Sequence, residues 1–181
     1  SHNFITQDGE SPAEIAAKAK EQVLRYDTVQ FKTALAVDAV KIEVGFEVTT
    51  ADNETFSAQK LIFATGVADH MQPIQGFSEC WGISVIHCPY CHGYEFRDEK
   101  TAILASDEII SHMSPLIANL SKDFTVLTNG SATLSEEQKQ LLTKNKVSIV
   151  EAEIAEIVYE NGHVKQVVFK DGASKEMRVI Y

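Results

Sequence analysis

Strand-like and helix-like segments alternate from Thr101 onwards, and this order restricts the fold more than any other feature of the sequence. Apolar strands are predicted at Thr101–Ala105 and Phe124–Leu127, with a helix at about Glu108–Leu120 between them. A second helix, from Ser135 to about Lys144, leads to a strand near Val147–Val150. Because strands joined by helices pair in parallel, this part of the sequence predicts an α/β fold with a parallel sheet.

The last thirty residues carry the signals of β-hairpins. Three strands are predicted, at Ile154–Tyr159, Val164–Phe169 and Glu176–Ile180. The turn pairs Asn161-Gly162 and Asp171-Gly172 separate them, and both pairs favour the tight turns of hairpins. The sequence therefore predicts an added β-layer beside the parallel sheet.

The first seventy residues begin with a helix and continue with short strands. Ser11 and Pro12 form a helix start, and the apolar spacing that follows predicts a helix to about Tyr26. Strands are predicted at Thr28–Phe31, Ala34–Val44, Gly45–Thr50 and, as a buried strand, Lys60–Ala64. A turn is predicted at residues 52–54, and the punctuated stretch 67–99 is expected to be irregular, with a domain junction near residues 66–76.

Charge and length exclude several classes of protein. The chain has 181 residues and a net charge of −10, from 16 basic and 26 acidic residues. Nucleic acid and anionic membranes are bound by clusters of Lys and Arg, so neither is expected as a partner. Because no apolar run reaches membrane-spanning length and no signal peptide opens the sequence, we expect a cytoplasmic protein. Ser1 and the strand-like end at Tyr181 suggest a piece of a longer protein.

The pair Cys88-Pro89-Tyr90-Cys91 has the spacing of a redox-active disulfide. Two alternatives remain open, namely a pair of buried inert thiols and a structural zinc site. The candidate zinc ligands would be Cys80, His87, Cys88, Cys91 and His92. Structural zinc usually takes two separated ligand pairs, and no second C-x-x-C or H-x-x-H is present, so reversible disulfide chemistry is favoured.

Three ionisable residues flank the cysteine pair. His92 directly follows Cys91 and is a candidate general acid/base. Glu95 would share its face in a helical turn and orient the imidazole. His87 is placed to tune Cys88 instead. Surface roles without chemistry stay open for all three.

The loop after the first predicted parallel strand does not resemble a dinucleotide-binding loop. Residues 104–110 contain no glycine, whereas G-x-G-x-x-G is needed for close approach of a pyrophosphate. The carboxylates of Asp107 and Glu108 would repel phosphate at the start of the helix. Residues 127–130, which end the next strand, lack an arginine for a 2′-phosphate. We therefore expect the fold of a dinucleotide domain with weak or no NADPH binding.

These segments together resemble a known family. Ala64-Thr65-Gly66, Trp81-Gly82 and the run from His87 to Glu95, followed by a Rossmann-like unit, are similar to low-molecular-weight thioredoxin reductases. The C-P-Y-C-H-G-Y-E form resembles a branch that includes FAD-dependent dithiol oxidases. The resemblance covers nearly the whole chain. It implies a Rossmann-like three-layer (ββα-type) two-domain fold, with residues 1–72 as a partial FAD-binding domain and 73–181 as the NAD(P)H-type domain with the C-x-x-C.

The resemblance also implies roles for the site residues. Cys91 would face the flavin of FAD, Cys88 would exchange with the substrate, and His92 would replace the family's usual aspartate as proton shuttle. Thr65 and Gly66 are the positions expected near the cofactor, and no metal is expected.

The implied partners are a dithiol or disulfide substrate, either a small molecule or a thioredoxin-like protein, and a second copy in a homodimer. Electrons in the oxidase branch pass from a dithiol through FAD to oxygen without NADPH. The alternatives are a redox-dead or assembly module and a zinc-binding domain.

Overall fold

The computed structural model describes residues 2, 4–106, 108–132, 134–145 and 147–181. Internal contacts divide them into two compact units. The smaller unit is residues 13–69, and the larger unit comprises the described residues of 1–12 and 70–181. No helix among the described residues is both long and apolar enough to cross a bilayer.

The smaller unit combines a helix with a three-stranded antiparallel sheet. Helix α1 (Pro12–Val23) leads into strands β1 (Ala36–Ile42), β2 (Gly45–Thr50) and β3 (Thr55–Ala58), which pair in that order. The turn between β2 and β3 is held by Thr50, whose hydroxyl bonds the Asp52 carboxylate and the Glu54 backbone N–H. This is the turn that the sequence predicts at residues 52–54.

Two predicted strands of the smaller unit are wrong. Residues 28–31 and 60–64 are not strands, and residues 60–64 are exposed or half-exposed rather than buried. A strand needs a neighbour to satisfy its backbone groups, and β1–β2–β3 is the one sheet that the described residues form in this unit. Strand β3, whose Ala58 pairs with Phe46, was not predicted because its four residues are too short for a clear alternation.

A parallel sheet forms the middle of the larger unit. Its four strands are β4 (Thr101–Leu104), β5 (Phe124–Leu127), β6 (Ser148–Val150) and β10 (Val179–Ile180), in the order β10-β4-β5-β6. All three neighbouring pairs are parallel. The connections contain α4 (Glu108–Leu120) and α5 (Glu136–Lys144), as the alternating sequence predicts. The predicted α/β fold with a parallel sheet is confirmed.

Strands β7 (Ile154–Glu160), β8 (His163–Phe169) and β9 (Ser174–Glu176) form a separate antiparallel sheet. One apolar cluster joins it to the parallel sheet, and a second lies between the parallel sheet and the helices, which gives the three-layer order ββα. The single strand predicted at Glu176–Ile180 is wrong, because the chain changes sheets there: Met177 N–H bonds Lys165 in β8, and Arg178 N–H bonds Lys100 just before β4.

Two short helices interrupt the predicted irregular stretch: α2 (Phe77–Cys80) and α3 (Pro89–His92). Between them, Val85 forms a parallel bridge with Ile180 of β10, and Ile86 N–H donates to the Ile180 carbonyl at 2.8 Å. This attachment fixes the start of α3 at the edge of the parallel sheet.

Candidate functional site

The predicted cysteine pair lies on the first turn of α3. Cys88 precedes the helix in an extended conformation, with φ −126° and ψ 108°, and Pro89 occupies the first helical position. Proline suits that position because its fixed φ fits a helix and its missing N–H is not needed there. The backbone N–H of Cys91 donates to the Cys88 carbonyl at 3.2 Å. The C-x-x-C spacing thus becomes one helical turn that carries both thiols on one side.

The two thiols are in direct contact. The Sγ atoms are 2.8 Å apart, with Cys91 donating to Cys88, and no disulfide joins them. Cys91 is exposed and Cys88 is partly buried. The hydrogen bond to Cys88 is the main cause that raises the pKa of Cys91 above its ordinary value, and burial adds to it. This pair therefore has the geometry for reversible disulfide formation, and Cys91 is the more exposed of the two residues.

The third cysteine differs from the pair. Cys80 is fully buried at the end of α2. Burial raises the pKa of its thiol, and a hydrogen bond with Ser84 opposes that rise only in part. Cys80 thus has the properties of an inert core thiol.

The predicted acid/base residues follow at once in the chain. His92 is partly buried in the last turn of α3, and Glu95 is exposed beyond the Gly93 cap. Glu95 and Cys91 line the same cavity of about 190 Å³, whereas His92 is not among its lining residues. The structure thus brings Glu95 to the thiol side of α3, and the proton-shuttle role of His92 stays a prediction.

His87 is held by aromatic stacking. Its ring stacks on Trp81 with centroids 5.8 Å apart, and Trp81 stacks in turn on Phe77, also at 5.8 Å. Phe77 belongs to α2 and Trp81 directly follows it, and Phe77 is buried in the core. The predicted influence of His87 on Cys88 stays a prediction, now with a ring whose orientation is fixed.

Tyr181, which lies directly after β10, is a residue of the site that no local sequence pattern predicts. Burial is the main cause that raises the pKa of Tyr181 to about 12, and the negative charges of Glu95 and Cys88 add to the rise. Its phenol therefore stays protonated at neutral pH beside the cysteine site. The parallel bridge between residues 85 and 180 places it there, and nothing in the local sequence shows this.

A crevice lies at the carboxyl ends of β4 and β5, where an open α/β sheet normally binds its ligand. Its volume is about 150 Å³, and it is lined by Gln72, Leu104, Ala105, Ser106, Thr128 and Asn129. Asn129 accepts a hydrogen bond from the Ile154 N–H at 2.7 Å, and the Thr128 hydroxyl donates to the Gly130 carbonyl at 2.6 Å. The Thr128 hydroxyl proton and the Asn129 side-chain oxygen are therefore engaged within the protein. The predicted repulsion by Asp107 lies outside the described residues.

The two predicted cofactor positions are in the smaller unit. Thr65 lines a largely apolar cavity of about 430 Å³ together with Ala36, Val37, Asp38, Ala39, Val48, Leu61, Ile62 and Phe63. Gly66 has φ 70°, and a Cβ added to it would meet no atom within 4 Å, so its backbone is open to close approach. These residues suit an apolar ring, but residues 13–69 contain no glycine-rich phosphate loop. The residues of this unit therefore fit the ring system of FAD but not its pyrophosphate.

The described residues do not support the alternative of a structural zinc site. Among the described residues, no group of three or more His, Cys, Asp or Glu side chains is arranged to hold a metal ion. His87 stacks on Trp81, and Cys80 is enclosed in the core.

Comparison with known proteins gives a consistent result, although no protein-family model matches the sequence. The chain is 30% identical to thioredoxin reductase aclD of Aspergillus oryzae over 97% of this chain and 59% of that protein. It is 36% identical to thioredoxin reductase tcpT of Claviceps purpurea over 72% of this chain and 43% of that protein.

A solved structure agrees with these relatives. TrxB of Bacillus anthracis, which carries the name of a thioredoxin reductase, superposes with a TM-score of 0.91 and 31% identity over 99% of this chain and 60% of its own. The chain thus spans about three-fifths, or less, of the length of these proteins. Sequence and fold together place the chain in the thioredoxin reductase-like family of thiol–disulfide oxidoreductases.

Proposed function

We propose that this protein is a FAD-dependent thiol–disulfide oxidoreductase that works through Cys88 and Cys91 and depends little or not at all on NADPH. The observation that carries the proposal is the contact of the two thiols, 2.8 Å apart on the first turn of α3, with Cys91 exposed. Family membership supports the same chemistry.

The exchange step follows from the chemistry of a dithiol. A substrate thiolate attacks one sulfur of the Cys88–Cys91 disulfide and forms a mixed disulfide, and the other cysteine leaves as a thiolate. A second substrate thiol resolves the mixed disulfide, so the substrate loses two electrons and two protons and the cysteines return as two thiols. By the family's pattern, Cys88 meets the substrate, and His92 takes and returns the proton.

FAD, when bound, supplies an acceptor for the electron pair of the reduced cysteines. By the family's pattern, Thr65 and Gly66 would lie against it; both residues are exposed, and Thr65 lines the apolar cavity of the smaller unit. In the proposed oxidase direction the electrons pass on to oxygen. The substrate is a small dithiol or a thioredoxin-like protein.

The crevice beside β4 and β5 supports the minor role of NADPH. Its 150 Å³ is well below the range of about 300–1,000 Å³ that ligand sites of this kind occupy. The Thr128 hydroxyl proton and the Asn129 side-chain oxygen, which could bind a ribose hydroxyl, are engaged by Gly130 and Ile154. A homodimer is part of the proposal on the family resemblance alone, and a cytoplasmic location stays a prediction from the sequence.

Equilibration of the purified chain with glutathione buffers of stepped potential tests the proposal. We expect Cys88 and Cys91 to lose two hydrogens together and reversibly, as read by alkylation and mass spectrometry, while Cys80 stays a thiol. Cys88→Ser and Cys91→Ser should abolish the transition, and the matched Cys80→Ser variant should keep it. A pair that never oxidises would identify a redox-dead module instead.

Titration with NADPH tests the cofactor preference separately. We expect no change in NADPH fluorescence, and in protein loaded with FAD no loss of flavin absorbance on adding NADPH. Rapid bleaching of the flavin would refute the interpretation of the β4–β5 crevice.

Turnover of a small dithiol by the loaded protein, and its loss in Cys88→Ser, would support the oxidase direction.

A further inference from the structure

A second histidine reaches the cysteine site from the opposite end of the sequence. His2 lines the 190 Å³ cavity that also exposes Cys91, although 89 positions separate the two residues in the chain. The His2 ring packs on Tyr94, with centroids 4.8 Å apart and an interplanar angle of 49°. Arg97 covers the Tyr94 ring with its guanidinium carbon 4.2 Å from the centroid. His2 therefore belongs to a built aromatic wall of the cavity.

The segment after His2 folds back and brings a carboxylate to the imidazole. Gln7 N–H donates to the Phe4 carbonyl at 3.0 Å, and Glu10 N–H donates to the Gln7 carbonyl at 3.1 Å. These two turns place Oδ2 of Asp8 at 3.3 Å from Nδ1 of His2. Gly9 follows with φ 85°, a conformation that glycine adopts without strain.

A carboxylate, a histidine and a nucleophile in this order form a common arrangement for proton transfer. A carboxylate that bonds one ring nitrogen of histidine fixes its tautomer and leaves the other nitrogen to exchange a proton with a nucleophile. Here Oδ2 of Asp8 lies 3.3 Å from Nδ1 of His2, and His2 lines the cavity that also exposes Cys91. His92, by contrast, is not among the lining residues of this cavity.

We propose that His2, oriented by Asp8, is a proton-transfer group for Cys91. This inference rests on the proposed function, since it assigns a second acid/base to the same thiol pair. The Cys91 S–H bond breaks, its proton passes to Nε2 of His2 directly or through one water in the cavity, and a thiolate–imidazolium pair results. The Asp8 carboxylate balances the imidazolium charge. In the reverse direction, the imidazolium returns the proton to the thiolate.

Several groups surround His2 and would influence how proton transfer to it depends on pH. Asp8 comes from its own segment, and Tyr90, Cys91, Tyr94 and Glu95 come from α3 and the turn after it. Arg97 lies behind the Tyr94 ring, and the apolar side chain of Leu120 at the end of α4 closes the cavity. The charged groups around the His2 ring are thus the carboxylates of Asp8 and Glu95 and the guanidinium of Arg97.

The alkylation rate of Cys91 as a function of pH tests the proposal in the intact 181-residue chain. Reduced protein is treated with iodoacetamide, and modification at Cys91 is followed by peptide mass spectrometry. Loss of the imidazolium partner should move the rate curve to higher pH by about one unit, which at pH 7 is about tenfold slower alkylation. We expect this for His2→Gln and for His2→Phe, which keeps a ring against Tyr94, and about threefold for Asp8→Asn.

His112→Gln is the matched control, since His112 is a histidine of the same unit that lies on α4, away from the lining of this cavity. Its alkylation curve should coincide with that of the wild type, and circular dichroism should show all variants folded. A wild-type curve in His2→Phe would overturn the proposal. A Cys91 pair that fails to oxidise in glutathione buffer but still responds to His2→Gln would refute the proposed function and leave this inference standing.

Discussion

The two units of the molecule differ sharply in what they bury. In the larger unit, two apolar clusters hold side chains such as Ile103, Ile117 and Val167 at 0–1% exposure. Among residues 13–69, all of which the structure describes, only Thr50 is buried. Large apolar side chains of this smaller unit remain in contact with solvent, including Val37, Val44, Phe56, Ile62, Phe63 and Val67.

The two units are therefore stabilised by different interactions. Apolar burial is the main favourable term in folding, at about 25 cal/mol per Å². The larger unit is stabilised by apolar burial, and the turn that carries Cys88 and Cys91 is attached to this unit through β10. The smaller unit depends on the hydrogen bonds of β1–β3, and a small sheet without a covered face is only marginally stable. The cysteine pair therefore lies on the unit with its own apolar core, and the candidate flavin contacts lie on the other unit.

Amide hydrogen exchange should show the largest difference between the units. We expect protection of β4, β5 and β8 to exceed that of β1–β3 by a factor of about 10³ or more, because local opening of a sheet without a core costs little. Mass spectrometry of peptides from the intact chain measures both in one sample. Equal protection of β2 and β5 would contradict the contrast.

A matched pair of isoleucines tests the same contrast by mutation. Ile117 in α4 is 0% exposed and Ile62 in the smaller unit is 86% exposed. Ile117→Ala should lower the free energy of unfolding by about 2–5 kcal/mol, through lost burial and the cavity left behind. Ile62→Ala removes the same atoms and should cost less than about 0.5 kcal/mol. Urea unfolding measures both variants, with circular dichroism for the whole chain and the fluorescence of Trp81, the chain's one tryptophan, for the larger unit.

Prediction from sequence succeeded where pattern and packing coincide. The range of α4 and that of β5 agree with the predicted ranges, because their apolar periodicity reflects the core they face. The predicted strand at residues 60–64 failed for the opposite reason. Its residues are apolar enough for a buried strand, but the described residues offer no neighbouring strand to pair with it.

Some residues of the candidate site could be predicted from the sequence, and others could not. Cys88 and Cys91 were predictable because a C-x-x-C defines its own geometry within one helical turn. Tyr181 and His2 were not, because they approach the cysteines from the two ends of the sequence through β10 and through the cavity wall. An Asp-Gly turn six residues after a histidine was the one available signal for His2 and Asp8, and it is weak by itself.

Two glycines sharpen the comparison further, since both have positive φ but very different surroundings. At Gly76 of the larger unit (φ 86°), a Cβ would lie 2.2 Å from the Ile157 carbonyl oxygen in β7. At Gly66 of the smaller unit (φ 70°), a Cβ would meet nothing within 4 Å. Gly76→Ala should cost about 2–3 kcal/mol from backbone strain and overlap together, and Gly66→Ala about 1 kcal/mol from strain alone. Equal costs in urea unfolding would show that the close packing onto β7 is relieved by movement.

The smallest effect is expected in the alkaline range, where Tyr181 links stability to pH. Its pKa is raised from 10 to about 12 in the folded protein, so the folded state keeps a proton that the unfolded chain loses. The contribution of Tyr181 to stability is therefore complete below pH 10 and is lost as pH rises from 10 towards 12. Tyr181→Phe should flatten this decline in urea unfolding, whereas Tyr26→Phe, which removes an exposed phenol of the smaller unit, should leave it unchanged. An unaltered decline in Tyr181→Phe would mean that the phenol beside Cys88 and Glu95 is hydrated, and that the cysteine site is less enclosed by the larger unit than its packing indicates.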